Sequence, residues 1–169
     1  MMLLMLAMAM VMQGGSVETL AAPMPSGFKV GHQAAQGGQT IEERVPVAET
    51  VEAWSQMITV QRFAGLAPVG PHRLLDRLSG LMATACPGAT AAPVVDGIEG
   101  GHPIATLRVD CPMNAATGKP ETMFARAFGG ATDIHLVQYA YRSTPTSQQS
   151  DTATDYIASV HLRDAGAAR

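Results

Sequence analysis

The chain has 169 residues, 47% hydrophobic and 15% charged, with a formal net charge of −3. So much hydrophobic content with so little net charge excludes a disordered chain, and low, mixed charge excludes a nucleic-acid arm or an acidic solvating tail. Subtracting an N-terminal leader leaves roughly 145–150 residues, the size of one ordinary domain.

Leu3 to Met12 (LLMLAMAMVM) is an uninterrupted apolar run. It is half the length of about twenty residues that a membrane-spanning helix needs, and it matches the hydrophobic region of a signal peptide. A polar stretch, Gln13 to Thr19, follows, then Ala21 and Ala22. Cleavage is expected at the Ala21/Ala22 bond, with Thr19 and Ala21 at the minus-three and minus-one positions, because cutting after Ala22 would leave Pro23 first. A buried first helix is the competing reading. The expected organisation is a signal peptide over 1–21, a linker over 22–26, one domain over 27–163 and a frayed tail over 164–169.

Gly27 to Gln33 alternates as a short strand, and Gln39 to Val47 reads as a second, joined to it by a hairpin through Gly37-Gly38. Glu49 to Trp54 reads as a helical turn feeding a strand over Met57 to Phe63, although one continuous amphipathic helix from Thr50 to Phe63 also fits the pattern. The spacing predicts a helix over Pro71 to Cys86. Pro71 suits the first helical position, Leu74, Leu75, Leu78, Leu81, Met82 and Ala85 form one face, and Pro87-Gly88 is the stop. Val94-Val95 begins a strand-like piece interrupted at Gly97 and Gly100-Gly101, and Ile104 to Cys111 alternates so that Leu107, Val109 and Cys111 share the apolar side. Thr122 to Phe128 and Asp133 to Arg142 form a hairpin through Gly129-Gly130. A last helix opens at Thr144-Pro145, with Ala153, Tyr156, Ile157 and Val160 on one stripe. The order is rich in hairpins. It predicts an α+β fold, a twisted antiparallel sheet of about five to seven strands with two main helices packed on it.

The two cysteines, Cys86 and Cys111, are an even pair in a chain read as exported. A bridge between them would contribute about 3 kcal/mol; two buried thiols are the alternative. Standard catalytic and cofactor constellations are missing from the sequence, so no catalytic residue and no cofactor is assigned. The histidines form no H-x-H or H-x-x-x-H pair, the methionines past the leader do not cluster, and no metal ligand is assigned.

The strand over Asp133 to Arg142 is the segment singled out for binding. Ile134 and Leu136 suit the core, which places His135, Tyr139 and Tyr141 on the opposite side, a surface able to hold a peptide or partner by stacking and hydrogen bonding. If a second helix covers that side, the tyrosines are core instead. Trp54, the one tryptophan, reads as a core anchor.

Several segments taken together resemble an uncharacterised family of small exported proteobacterial proteins. They are Gly27-Phe28-Lys29-Val30-Gly31, Glu49 to Trp54 continuing to Met57 to Gln61, Cys86-Pro87-Gly88, Cys111-Pro112 and Thr117 to Glu121. The order of elements is similar to the PsbP-like α/β/α sandwich, whose members are mostly non-catalytic accessory or docking proteins. Leader, charge and the strand over Asp133 to Arg142 together point to a periplasmic or secreted, non-catalytic accessory or binding protein of the cell envelope, with an envelope protein or peptide as partner and no nucleic acid, and the PsbP-like resemblance implies the same accessory role. The alternative is a small envelope hydrolase or metal-binding protein built around His102, His135 and Asp110.

Overall fold

A computed structural model describes residues 18–164. The chain runs through β1 (Thr19–Ala21), β2 (Phe28–Gln36), β3 (Gln39–Pro46), β4 (Gln56–Phe63), a 3-10 turn (Ala67–Val69), α1 (Pro71–Ala85), β5 (Thr90–Ala91), β6 (Val95–Glu99), β7 (His102–Asn114), β8 (Lys119–Gly129), β9 (Ile134–Tyr141), α2 (Ser147–Ser159) and β10 (His161–Arg163). Eight strands form one antiparallel sheet in the order β2-β3-β4-β9-β8-β7-β5, with β6 also pairing β7, and β1 pairs with β10 apart from it. The fold is the α+β arrangement expected. The strand count exceeds the expectation because both β5 and β6 pair onto β7. No described helix is long and apolar enough to cross a membrane.

Local chemistry sets the turns. The β2–β3 hairpin closes with Gln36 opposite Gln39, and the two residues between, Gly37 and Gly38, both have positive φ (58° and 81°). A two-residue hairpin turn of this hand requires that, and glycine adopts it without strain. Gly100-Gly101 makes the same turn between β6 and β7, so the expected interruption there is a hairpin. α1 starts at Pro71, as expected. α2 is capped by Thr146, whose hydroxyl accepts from the Gln149 N–H while the Gln149 side chain accepts from the Thr146 N–H.

Three expectations about local structure are corrected. Glu49 to Trp54 is not helical, because the Glu49 carboxylate accepts from both the N–H and the hydroxyl of Ser55 and closes the segment as a loop. That loop, with β4 starting at Gln56, also replaces the continuous helix that the Thr50 to Phe63 pattern allowed. On α1, Leu81 is 58% exposed, since it lies about a third of a turn around the axis from the buried Leu75. The leader's residues 1–17 lie outside the described residues, but Thr19–Ala21, expected at the leader's end, form β1. Leu20 packs against the core, and the Arg44 guanidinium donates to the carbonyls of Ala22 and Pro23.

Each face of the sheet carries a core. α1 covers Ala105, Leu107, Val109, Met123, Ala125, Ala127, Ile134 and Leu136. α2 covers Ile58, Phe124, Phe128, Val137, Tyr139 and Tyr141. Cys86, just past α1, is bonded to Cys111 of β7 and ties α1 to the sheet beneath it. Sequence phase and bridge agree here: Leu107, Val109 and Cys111 are all buried on the α1 side. Trp54 is buried beside Val45 and Met57, the anchor it was read as, and the Arg142 guanidinium lies 4.0 Å over its ring.

Candidate functional site

The α2 face alternates along three neighbouring strands. β9 presents His135, Val137, Tyr139 and Tyr141; in register beside them β8 presents Phe128, Arg126, Phe124 and Thr122; β7 follows with Ile104, Thr106, Arg108 and Asp110. The phase of β9 is the one read from the sequence. Its environment is not, because α2 lies across this face. His135 and Tyr139 are 3% exposed and Tyr141 is 1% exposed, so the expected aromatic surface is core. The Tyr141 hydroxyl donates to the Gln149 carbonyl of α2, and that of Tyr139 to the Gln56 side chain. Their rings lie 5.2 Å apart, with Tyr156 of α2 edge-on to Tyr139 at 5.6 Å. Burial pushes both phenols above the ordinary tyrosine range.

α2 covers β8 and β9 but leaves β7 open. Between α2 and the segment Ala92 to Val95 a groove of about 550 Å³ remains, floored by Ile104, Thr106 and Phe124 and walled by Ile157 and Ala158. Arg126 sits in it at 6% exposure. One guanidinium nitrogen donates to the Ile157, Ala158 and Val160 carbonyls at the end of α2, at 3.2–3.4 Å, and another to Glu99 at 2.6 Å. Its Nε is buried with no hydrogen-bond partner. An orphaned N–H in a desolvated site costs about 1–3 kcal/mol, so the groove contains a donor lacking an acceptor. Arg108 stacks 5.0 Å over Phe124 and pairs with Asp110, keeping the Asp110 carboxyl below the usual range. At the rim, Val95 is 62% exposed on β6. The groove therefore offers an apolar floor beside a half-exposed cation, Arg108, the mixture that marks ligand sites.

The three residues of the hydrolase or metal-site alternative, His102, His135 and Asp110, are not brought together. His102 and His135 share the α2 face, but Asp110 lies at the other end of β7, bonded to Arg108 and Thr122, so these three do not converge. His72 pairs with Asp96, and His161 with Glu99; the His161 bond, ahead of that from Arg126, holds the Glu99 carboxyl low. Among the described residues no Ser, Thr or Cys side chain hydrogen-bonds a histidine.

Sequence reasoning missed Arg126. The signal was there: in Phe124-Ala125-Arg126-Ala127-Phe128 the arginine takes the same side of the strand as two phenylalanines, a position that buries it.

No protein-family model and no curated protein matches the chain. Among solved structures it is similar to the cyanobacterial PsbP (CyanoP) of Synechocystis, at 14% identity over 93% of this chain and 98% of that one, with a TM-score of 0.55. It is also similar to the Ran-binding protein Mog1p of Saccharomyces cerevisiae (13% identity, 84% of each chain, TM-score 0.49). LpqN of Mycobacterium tuberculosis, a protein involved in cell envelope biogenesis, matches at 12% identity over 87% of this chain and 84% of that one (TM-score 0.47). The CyanoP match shows that the architecture is PsbP-like, and at that identity it shows the fold alone.

Proposed function

We propose that the chain is an exported, non-catalytic accessory or binding protein of the bacterial cell envelope, and that it holds an envelope protein or peptide in the groove between α2 and β6–β7. The observation that carries the reading is the groove itself, an apolar floor left open by α2 with Arg108 and Arg126 in its lining. A segment with an apolar side chain would fill the groove, and a carboxylate on it would complement the half-exposed Arg108 in the lining. The apolar run Leu3 to Met12 and the Cys86–Cys111 bridge support export. Because Glu18 to Pro23 are built into the fold, export in this reading cuts upstream of Glu18. The Ser16/Val17 bond suits, with Gly14 and Ser16 at the minus-three and minus-one positions.

Anilinonaphthalene sulfonate, an anionic apolar fluorophore, tests the groove. The folded protein is expected to bind one equivalent. Ala158→Trp, which fills the groove from α2, and Arg126→Met, which removes a cation from its lining, should each weaken binding about tenfold, a loss of about 1.4 kcal/mol. Equal binding by the parent and Ala158→Trp, with melting temperatures matched, would place the fluorophore elsewhere and remove the groove's claim.

A further inference from the structure

We infer a second site, for a divalent transition-metal cation, where the two ends of the described chain meet. Glu18, just before β1, His102, the first residue of β7, and Asp164, just after β10, bring one ligand atom each to within 4.8 Å of one another. His102 Nε2 and Asp164 Oδ1 are 3.3 Å apart. Two ligands of a tetrahedral cation at about 2.0–2.2 Å from the metal stand about 3.4 Å apart, so this pair already has the spacing of a bound ion's ligands. One imidazole and two carboxylates suit zinc, manganese or cobalt better than the all-oxygen shell of calcium or magnesium.

The cluster is held from outside. The Ala131 N–H donates to the Glu18 carboxylate at 2.9 Å, fixing it while leaving lone pairs free. Gly130 makes the room: a Cβ there would collide with Glu18 Oε2, although the backbone at Gly130 lies outside the positive-φ region where glycine is otherwise needed. The His102 side chain is only 16% exposed. On the same sheet face is His135, buried, with Nε2 lacking any hydrogen-bond partner, and close enough for the charges of Glu18 and His102 to act on its ring. Two carboxylates and one imidazole thus meet beside the β1–β10 pair, and a cation there would pin both ends of the described chain to the sheet.

The test is calorimetric titration of zinc chloride into tag-free, EDTA-stripped protein that retains Glu18. One equivalent is expected to bind and to raise the melting temperature. His102→Ala and Asp164→Asn should each weaken binding by about tenfold or more and abolish the rise. Asp164 is 67% exposed on its side chain, so its variant keeps the fold and separates ligand loss from unfolding. His72→Ala, at the exposed His72–Asp96 pair, should bind as the parent does. Absence of binding, binding that survives both ligand variants, or loss in His72→Ala would each overturn the site.

Discussion

On the α1 face the buried cluster beneath the helix is apolar, with Gln138 and Gln61 hydrogen-bonded to each other beside it, and a disulfide clamps the helix end to β7. On the α2 face the sheet presents four buried aromatics (Phe124, Phe128, Tyr139 and Tyr141), a buried arginine and a buried histidine, and the helix stops short of β7. The first is satisfied by apolar packing, apart from Arg142 Nε, which is buried without a partner at its edge beside Trp54. The second leaves two buried nitrogens, Arg126 Nε and His135 Nε2, without partners, and each sits beside a place where something else fits. A domain of this size has hydrophobic surface enough to be stabilised from one face, which frees the other to carry polar groups at some cost in stability.

The largest effect should come from the closed face. Leu136, 2% exposed under α1, is expected to cost about 2–5 kcal/mol on Leu136→Ala by denaturant unfolding, whereas Val95→Ala on the groove rim should move stability by less than about 0.5 kcal/mol. Similar costs at both positions would erase the distinction between the faces.

Next is the bridge. The Cys86→Ser/Cys111→Ser double variant should lose about 3 kcal/mol while binding the groove fluorophore as before, since the bridge lies on the other face. Intact mass of the envelope-purified parent should begin at Val17 and show alkylation only after reduction. A mass beginning at Ala22 would mean that β1 is discarded.

How much of this was legible follows the same division. α1, the hairpins and the β7 phase that buries Cys111 could be read because each depends on local rules: a Pro start, glycine pairs with positive φ, strict alternation. The phase of β9 was equally legible, but the fate of His135, Tyr139 and Tyr141 was not. Alternation says which residues share a side and is silent on what covers it, and a helix beginning six residues later supplied the cover. Glu18, His102 and Asp164 are brought together only by the pairing of β1 with β10, which no local pattern announces.

The smallest effect is in pH. Burial holds the His135 ring below the ordinary histidine value, so the unfolded chain takes up a proton first as pH falls. Stability is therefore full above about pH 6.5 and declines below it, by less than about 1.4 kcal/mol per unit. Below about pH 4 a second decline joins as Asp133, kept low chiefly by the Gly65 N–H and also by Arg62, and Asp110, kept low by Arg108, are protonated. In EDTA, His135→Phe should flatten the first decline and leave the second. An unchanged slope between about pH 5 and 6.5 would show that His135 does not titrate with folding.

The central claim, that the open α2 face is the binding face, is tested most directly by photocrosslinking in the native envelope, with one photoreactive residue at Val95 and another at Leu81. Both positions are exposed, at 62% and 58%, so accessibility does not separate them. The account predicts a discrete adduct from Val95 that Arg126→Met removes, and none from Leu81. Adducts from Leu81 alone, or from both positions regardless of Arg126, would contradict it.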